Sequence, residues 1–351
     1  MLQSKSLDRH RVTARAVVGL ALGLLAAGGA GSAWAQPADV EQPEALIKAA
    51  KAEGKLMLYS SSDESQSRTL LAAFEKKYGI KGSFIRFPTG PLMQRFSTEY
   101  DAGKVQADIV SVSSPIPYEA RPERFAAVNR QVLPNLAKWP ADALKPNYFT
   151  WTTEIVALAY NTELLRPDQV PKKWIELADP KWKGKFLMTD PQVADNYLGW
   201  LDMVERELGV GFLRKLATQD YKITQSGASG AQMVAAGAHL FNAPTFTAFS
   251  SQLIAKKAPI AIQYMSEPTV VSPRNIAIVA GSPNPNAARL YMNWLLSEEA
   301  MRLTCQISPT SIVADPEGKR GCVPVRDGKP MRFDVSEERR RMMAKELGVA
   351  R

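Results

Sequence analysis

Three short clusters of hydroxyl-bearing and glycine residues are the parts of this sequence best suited to binding chemistry. Each cluster follows a predicted strand and precedes a predicted helix. The clusters are Ser60-Ser61-Ser62, Thr89-Gly90 and Gln225-Ser226-Gly227-Ala228-Ser229. The free N–H groups and positive dipole end of a helix favour an anion there, and hydroxyl groups add further donors. Either the clusters share one cleft for an anion or polar ligand, or each is only a helix N-cap or tight turn.

Two arginines flank the second cluster and could recognise a carboxylate or a phosphate in a bidentate manner. Arg86 precedes the cluster, and Arg95 lies one turn into the helix that follows it. We favour Arg95 as the ligand-binding residue of the two. The alternative for either side chain is a solvated position on the surface.

The sequence offers little that could catalyse a reaction. Its two histidines are His10, near the N-terminus, and His239, in an apolar run where a packed strand residue is expected. It contains no H-E-x-x-H, no G-x-S-x-G and no P-loop lysine, and no histidine is placed for a Ser-His-Asp triad. Two His and two Cys are also too few for a structural zinc site or an iron–sulfur cluster. We therefore predict no catalytic residue, no metal site and no cofactor.

Residues 1–35 have the three-part pattern of a secretory signal peptide. Four basic residues precede an apolar run, 16–27, and small residues then lead to a cleavage site after Ala35. The basic residues are Lys5, Arg9, Arg11 and Arg15. A membrane anchor is the alternative, but the run is shorter than the ~20 apolar residues that span a bilayer. The pattern predicts export through the Sec route to the periplasm.

Export changes the interpretation of charge and of the cysteines. Removing four basic residues and Asp8 lowers the net charge from +9 to +6, which is mild for this size and predicts no nucleic-acid partner. In an oxidising compartment Cys305 and Cys322 are expected to form a disulfide, with two free thiols as the alternative.

The elements that position these clusters alternate between strands and helices. The first are strands at Lys55–Tyr59, Ser83–Phe87 and Ala107–Val112, with helices at Glu64–Tyr78 and Leu92–Asp101. This β-α-β-α-β order is typical of a mainly parallel sheet covered by helices, and ligands bind where its strands end. A second α/β unit begins at the strand Lys185–Thr189, and 351 residues are enough for two units.

Several strings in this order resemble the periplasmic solute-binding proteins of ABC importers, in the branch that includes the ferric-ion binders. They are FEKKYGIK at 74–81, ADIV at 107–110, IVALAYNTELL at 155–165, VPKKWIELADPKWKGKFLMTDP at 170–191, AAGAHL at 235–240 and PNAARLYMNWLLSEEAMRL at 285–303. The resemblance implies an α/β, two-lobed type II periplasmic binding fold. Each lobe would be a mixed sheet covered by helices, with the ligand cleft at the hinge.

The resemblance also implies a division of the chain. Lobe 1 would hold residues 36–155, with 275–310 returning to it, and lobe 2 would hold 156–274. Residues 311–351 would be a C-terminal extension packing on the lobes. Lobe closure would bury a small-molecule ligand and present a face to an inner-membrane ABC permease, and family members are usually monomers.

The ligand is harder to infer. Ferric binders hold iron through adjacent tyrosines, and the matching stretch here, Pro244–Phe249, contains none. We therefore expect a small organic anion, either a carboxylate or a phosphate or phosphonate compound. Three alternatives stay open: iron held by other or exogenous ligands, a polyamine or thiamine-type cation held by carboxylates, and a secreted enzyme on the same fold. The carboxylates considered for a cation are Asp63, Asp190 and Asp195.

We expect both lobes to contribute to the cleft. The candidates from lobe 1 are Ser60, Ser61, Ser62, Thr89, Gly90, Arg95 and Ser113. The candidates from lobe 2 are Asp190, Ser226, Gly227, Ala228, Thr245, Phe246 and Tyr264. Hydroxyls and main-chain N–H groups would hold the charge, and Phe246 would pack on the apolar part of the ligand.

Overall fold

The computed structural model describes residues 38–308, 310, 312–313, 320–322, 325 and 328–349. The expected signal peptide and its cleavage site after Ala35 lie outside the described residues. Within them, no helix combines the length and the apolar character needed to cross a membrane.

Ten strands and eleven α-helices form the described part of the chain. The strands are β1 (Lys55–Ser60), β2 (Lys81–Arg86), β3 (Ile109–Val112), β4 (Phe149–Asn161), β5 (Phe186–Thr189), β6 (Lys222–Thr224), β7 (Phe241–Phe246), β8 (Ile260–Tyr264), β9 (Thr269–Ile278) and β10 (Gly328–Pro330). The helices are α1 (Glu44–Glu53), α2 (Glu64–Tyr78), α3 (Thr89–Asp101), α4 (Ile116–Ala120), α5 (Asp195–Leu208), α6 (Val210–Ala217), α7 (Gly227–Ala235), α8 (Ala248–Ala255), α9 (Pro285–Leu295), α10 (Glu298–Ile307) and α11 (Glu337–Leu347).

The first lobe is built on β1, which pairs in parallel with β2 on one side and β3 on the other. The helices α2 and α3 connect these strands, as the β-α-β-α-β pattern predicts. Glycines in the left-handed region end α1 and α2, at Gly54 and Gly79. α3 begins at Thr89, three residues before the predicted start, because Pro91 falls in the first turn, where a helix needs no N–H donor. The carboxyl ends of all three strands therefore meet the N-terminal ends of helices at one edge of the sheet.

Two long strands join the lobes. β4 and β9 are antiparallel and pair from Phe149↔Ile276 to Ile155↔Val271. β9 also pairs with β3 of the first lobe, and β4 continues into the second lobe, where it pairs with β7 and β8. The result is one ten-stranded sheet that runs through both lobes. Eight strands follow the order β2-β1-β3-β9-β4-β7-β5-β6, and β8 and β10 pair with β4 and β9 beside this path.

The joining strands contribute side chains to two hydrophobic cores. Phe149 and Trp151 of β4 belong to the first-lobe core, and Val156 and Leu158 further along the same strand belong to the second-lobe core. β9 divides in the same way, with Val270 in the second core and its C-terminal end in the first.

The C-terminal part of the chain packs on the second lobe and on the joining strands. β10 pairs in parallel with the start of β9, and α11 packs against α5 and α6. Arg339 of α11 pairs with Asp202 and Glu205 of α5. The expected disulfide is present and joins Cys305 of α10 to Cys322. The segment is thus bonded covalently at one end and packed by side chains at the other.

Candidate functional site

A cleft lies between the two lobes, and its free space of about 510 Å³ includes solvent at its open mouth. It is lined by Ser61, Arg86, Pro88, Thr89, Ser113, Val193, Ala194, Asn196, Tyr197, Gln225, Ser226, Gly227, Phe249 and Arg274.

The first lobe forms one wall from the ends of its parallel strands. Ser61 follows β1, Arg86 is the last residue of β2 and Ser113 follows β3. Thr89 begins α3. Parallel strands end at the same edge, so residues distant in sequence come together there.

The second lobe forms the opposite wall from the beginnings of two helices. Asn196 and Tyr197 lie in the first turn of α5, and Ser226 is the N-cap of α7. Phe249 of α8 adds an aromatic surface. Helices α3, α5 and α7 therefore begin at the cleft, and each places the positive end of its dipole there.

Main-chain donors are available at two of these helix starts. Among the described residues, the N–H groups of Thr89 and Ala228 have no hydrogen-bond acceptor. At the start of α7 the Ser226 hydroxyl instead accepts from the N–H of Ser229 at 3.1 Å. Such unused N–H groups favour an anion.

Arg86 is a cation without a matching carboxylate. Its Nε donates to the carbonyl of Ser62 at 3.4 Å, and no described carboxylate lies within ion-pair distance of it. The positive charge is therefore available to a ligand in the cleft.

Arg274 presents a different situation, because its charge is already matched. Its Nε donates to Glu154 at 3.0 Å, Nη2 donates to the same carboxylate, and Nη1 donates to the Ser113 hydroxyl at 2.8 Å. The other oxygen of Glu154 accepts from Ser308 at 3.0 Å. The guanidinium carbon lies 5.9 Å from the centre of the Phe246 ring. This buried network joins β9 to β4 and holds Ser113 in the wall.

Tyr197 brings a phenol without a hydrogen-bond partner into the cleft. The residue is 3% exposed, and its hydroxyl has no partner among the described residues. Burial raises the pKa of Tyr197 and the charge of Glu154 adds to the rise, while Arg274, Arg86 and the nearby main-chain N–H of Gly227 act in the opposite direction. The net effect is a raised pKa, so the phenol stays protonated at neutral pH and can donate to a ligand. The Ser61 hydroxyl is likewise without a partner.

The structure brings together only some of the residues expected from the sequence. Five expected residues line the cleft: Ser61, Thr89, Ser113, Ser226 and Gly227. Three others are their chain neighbours outside the lining: Ser60 and Ser62, which bond each other at 3.0 Å, and the exposed Gly90. Ala228 follows Gly227 in the first turn of α7.

Two further expected residues, Arg95 and Asp190, lie outside the lining. Arg95 pairs with Glu99 at 2.8 Å and lies over the Tyr59 ring. Asp190 is buried and accepts from the N–H of Gln192 at 2.8 Å.

Three aromatic or hydroxyl candidates of the second lobe lie behind or beside the wall. Thr245 is fully buried in β7. Phe246 lies under the ring of Tyr197, with the ring centres 5.7 Å apart. The Tyr264 hydroxyl is 3.3 Å from that of Thr247.

Sequence reasoning missed Tyr197, Phe249 and Arg274, and it ranked Arg86 below Arg95. The spacing of Arg95 from Glu99 indicates an ion pair within the helix and not a ligand contact, because residues four apart on a helix pair readily. Arg274 and Glu154 are single charges within apolar strands, which is a sign of a buried pair. Tyr197 cannot be told from a core aromatic by its pattern alone.

No group of three or more His, Cys, Asp or Glu residues in the described ranges is arranged to hold a metal ion. The lining contains hydroxyls, amides and arginines, with no acidic side chain. The described cleft is therefore electropositive and rich in hydrogen-bond donors.

Comparisons with known proteins agree with this arrangement over most of the chain. The family model of bacterial extracellular solute-binding proteins matches residues 69–315. A Salmonella typhimurium protein with the provisional name of a 2-aminoethylphosphonate-binding periplasmic protein is 24% identical over 284 residues, which is 73% of this chain and 78% of that protein.

Two solved structures show the same fold. One is a substrate-binding protein of an ABC transporter from Agrobacterium tumefaciens, with a TM-score of 0.69 and 16% identity, covering 84% of this chain and 95% of that one. The other is the periplasmic binding protein AfuA from Actinobacillus pleuropneumoniae with exogenous fructose-6-phosphate bound, with a TM-score of 0.63 and 21% identity over 84% and 95%. The type II periplasmic binding fold expected from the sequence is confirmed.

The family match extends over most of the chain, and the two lobes, the joining strands and the cleft agree with it. This chain belongs to the bacterial extracellular solute-binding protein family.

Proposed function

We propose that this protein binds a small organic anion, a carboxylate or a phosphate or phosphonate compound, and delivers it to an inner-membrane ABC permease. The observation that carries the proposal is Arg86, a cleft arginine with no carboxylate partner among the described residues. A cation in this position favours a ligand that supplies the missing negative charge.

The ligand would be held from both lobes. Ser61, Arg86 and Thr89 would contact the anionic group from the first lobe, and Tyr197 with the start of α7 would contact it from the second. Phe249 and Val193 would pack on the carbon skeleton. Because the walls belong to different lobes, closing the cleft and binding the ligand would be one event.

The comparisons support an anion without naming it. One relative is named for a phosphonate, and one protein of the same fold holds a sugar phosphate. Both compounds carry a phosphorus-centred anion, which suits a site made of helix N-termini and an arginine.

The expected organisation of the chain completes the proposal. Lobe 1 is taken as residues 36–155 with 275–310, and lobe 2 as 156–274. The chain would be exported by the Sec route, cleaved after Ala35 and act as a monomer without enzymatic activity. Ferric iron suits the described lining less well, since Tyr197 is its single phenol and no carboxylate is present.

Thermal unfolding tests the proposal. A panel of phosphates, phosphonates, sugar phosphates and carboxylates is compared with spermidine, thiamine and ferric citrate. A true ligand at 100 times its Kd adds about 2.7 kcal/mol to the free energy of unfolding, which is a shift of several degrees. The absence of a shift with every anion, or a shift with the cations only, would overturn it.

A further inference from the structure

We infer that the cleft selects anions that carry no positively charged group, and that it discriminates against aminoalkyl ligands such as 2-aminoethylphosphonate. This inference rests on the proposed function and makes its ligand class narrower. It therefore predicts that 2-aminoethylphosphonate, the compound in the name of the Salmonella relative, is not the preferred ligand of this protein.

The first support is the charge of the lining. The described lining residues include two arginines and no aspartate or glutamate. An ammonium group bound here would have no carboxylate to pair with, and it would lie close to the open charge of Arg86. Burying an unpaired charge is costly, so a cationic ligand would lose affinity.

The second support is that Glu154, which contacts the lining residue Arg274, and two aspartates close to the lining in sequence are already engaged. Glu154 is 2% exposed, and its two oxygens accept from Arg274 and Ser308. Asp63 caps α2 by accepting from the N–H of Ser65 at 2.8 Å. Asp190 is buried and has its own partners. Recruiting any of them for a ligand would break an existing contact.

Asp195, a further acidic residue next to the lining in sequence, does not line the cleft. It belongs to the first turn of α5 but is absent from the cleft wall. Burial raises the pKa of Asp195, and the positive charge of Arg340, on α11, acts in the opposite direction. Helix α11 borders a different groove, next to Pro191 and Leu198. Asp195 therefore offers no counter-charge inside the cleft.

The third support concerns the aromatic wall, which could otherwise hold an ammonium by a cation–π contact. The ring of Tyr197 packs on Phe246, and the Arg274 guanidinium already lies near that same Phe246 ring. Arg274 and Arg86 are both close enough to Tyr197 to act on its phenol electrostatically. An ammonium at this wall would be repelled by Arg86, and the Arg274–Glu154 pair, whose charges cancel, would give it no net attraction.

Calorimetry with two matched ligand pairs tests the inference. The pairs are 2-aminoethylphosphonate with 2-hydroxyethylphosphonate, and β-alanine with 3-hydroxypropanoate. Within each pair the anionic group is identical and only the ammonium is replaced by a hydroxyl. We expect the amino compound to bind at least tenfold more weakly in whichever pair is bound.

A charge-introducing variant provides the reciprocal test. Gln225 is exposed and lines the cleft, so Gln225→Glu places a carboxylate in the wall with little effect on folding. It should reduce the preference for the hydroxyl compound several-fold. Gln232→Glu, on an exposed position of α7 outside the lining, adds the same charge and should leave the preference unchanged.

The outcomes separate the two proposals. Tight binding of an amino compound, at or above the affinity of its hydroxyl partner, would overturn this inference and leave anion binding in place. An unchanged preference in Gln225→Glu would also count against it. Failure of both pairs and of every other anion would overturn the proposed function, and this inference with it.

Discussion

Gly227 lies so close to Tyr197 that a Cβ atom added to the glycine would be 2.4 Å from the phenol oxygen. The same atom would be 2.6 Å from the ring of Phe249. Gly227→Ala should therefore displace both aromatic residues and weaken ligand binding by tenfold or more, as measured by calorimetry. Folding should survive with a lower stability, because overpacking a buried site typically costs about 1–3 kcal/mol.

A second glycine provides the control for this substitution. Gly211 in α6 has no atom within 4 Å of its added Cβ. Gly211→Ala should leave the affinity unchanged and raise the free energy of unfolding by about 0.5–1 kcal/mol. Equal affinities for the two variants would mean that the close approach at α7 does not shape the site.

Arg86→Ala should remove most of the affinity for the anion. A hydrogen bond to a charged group contributes about 1.5–3 kcal/mol, so the Kd should rise by tenfold or more. Arg95→Ala is the matched control, because Arg95 pairs with Glu99 outside the cleft lining. A larger loss from Arg95→Ala than from Arg86→Ala would contradict the site described above.

Tyr197→Phe should lower ligand affinity without lowering the stability of the free protein. The phenol is buried without a partner, so its removal should leave the melting temperature of the free protein unchanged or slightly higher. Affinity for the ligand should fall about tenfold if the phenol donates to the anion. Because burial raises the pKa of Tyr197, this contribution should stay constant from pH 6 to pH 9. A lower melting temperature with unchanged affinity would assign the phenol a structural role alone.

Glu154→Ala should destabilise the fold by about 3–5 kcal/mol, because it leaves the Arg274 guanidinium buried without a counter-charge. Both side chains are almost fully buried. Replacing both with apolar residues of similar volume, as in Glu154→Leu with Arg274→Met, should cost less than the single change. Urea denaturation of the three proteins measures the difference, and a double variant less stable than Glu154→Ala would refute this account.

Removing the Cys305–Cys322 disulfide should lower the free energy of unfolding by about 3 kcal/mol, the entropy expected for a closed loop of this length. Neither cysteine lines the cleft, so ligand affinity should not change. Denaturation and calorimetry of the double serine variant test both statements.

The sequence predicts the elements of the first lobe well, because amphipathic helices and apolar strands leave a clear periodicity. Helix α2 has the predicted bounds, Glu64–Tyr78. The long strand β9, Thr269–Ile278, has no comparably clear pattern. Its polar residues are hydrogen-bonded by partners from β3 and β4, and a local pattern does not contain those partners.

The site was harder to predict than the fold because several of its residues depend on partners that are distant in the sequence. Ser61, Thr89, Ser113, Ser226 and Gly227 follow strands or begin helices, and that local rule brings them to the cleft. Arg274 reaches the wall through a partner 120 residues away in the chain. Tyr197 becomes a site residue only because Gly227 leaves room beside it.

The hydrophobic cores of the two lobes share strands, and this affects how the molecule unfolds. β4 and β9 each contribute buried side chains to both lobes. Unfolding of either lobe would therefore expose apolar surface that is buried in the other lobe. We expect a single cooperative unfolding transition, with the amide protons of these two strands among the last to exchange with solvent. The segment that joins the lobes is therefore the part of the molecule that both cores protect.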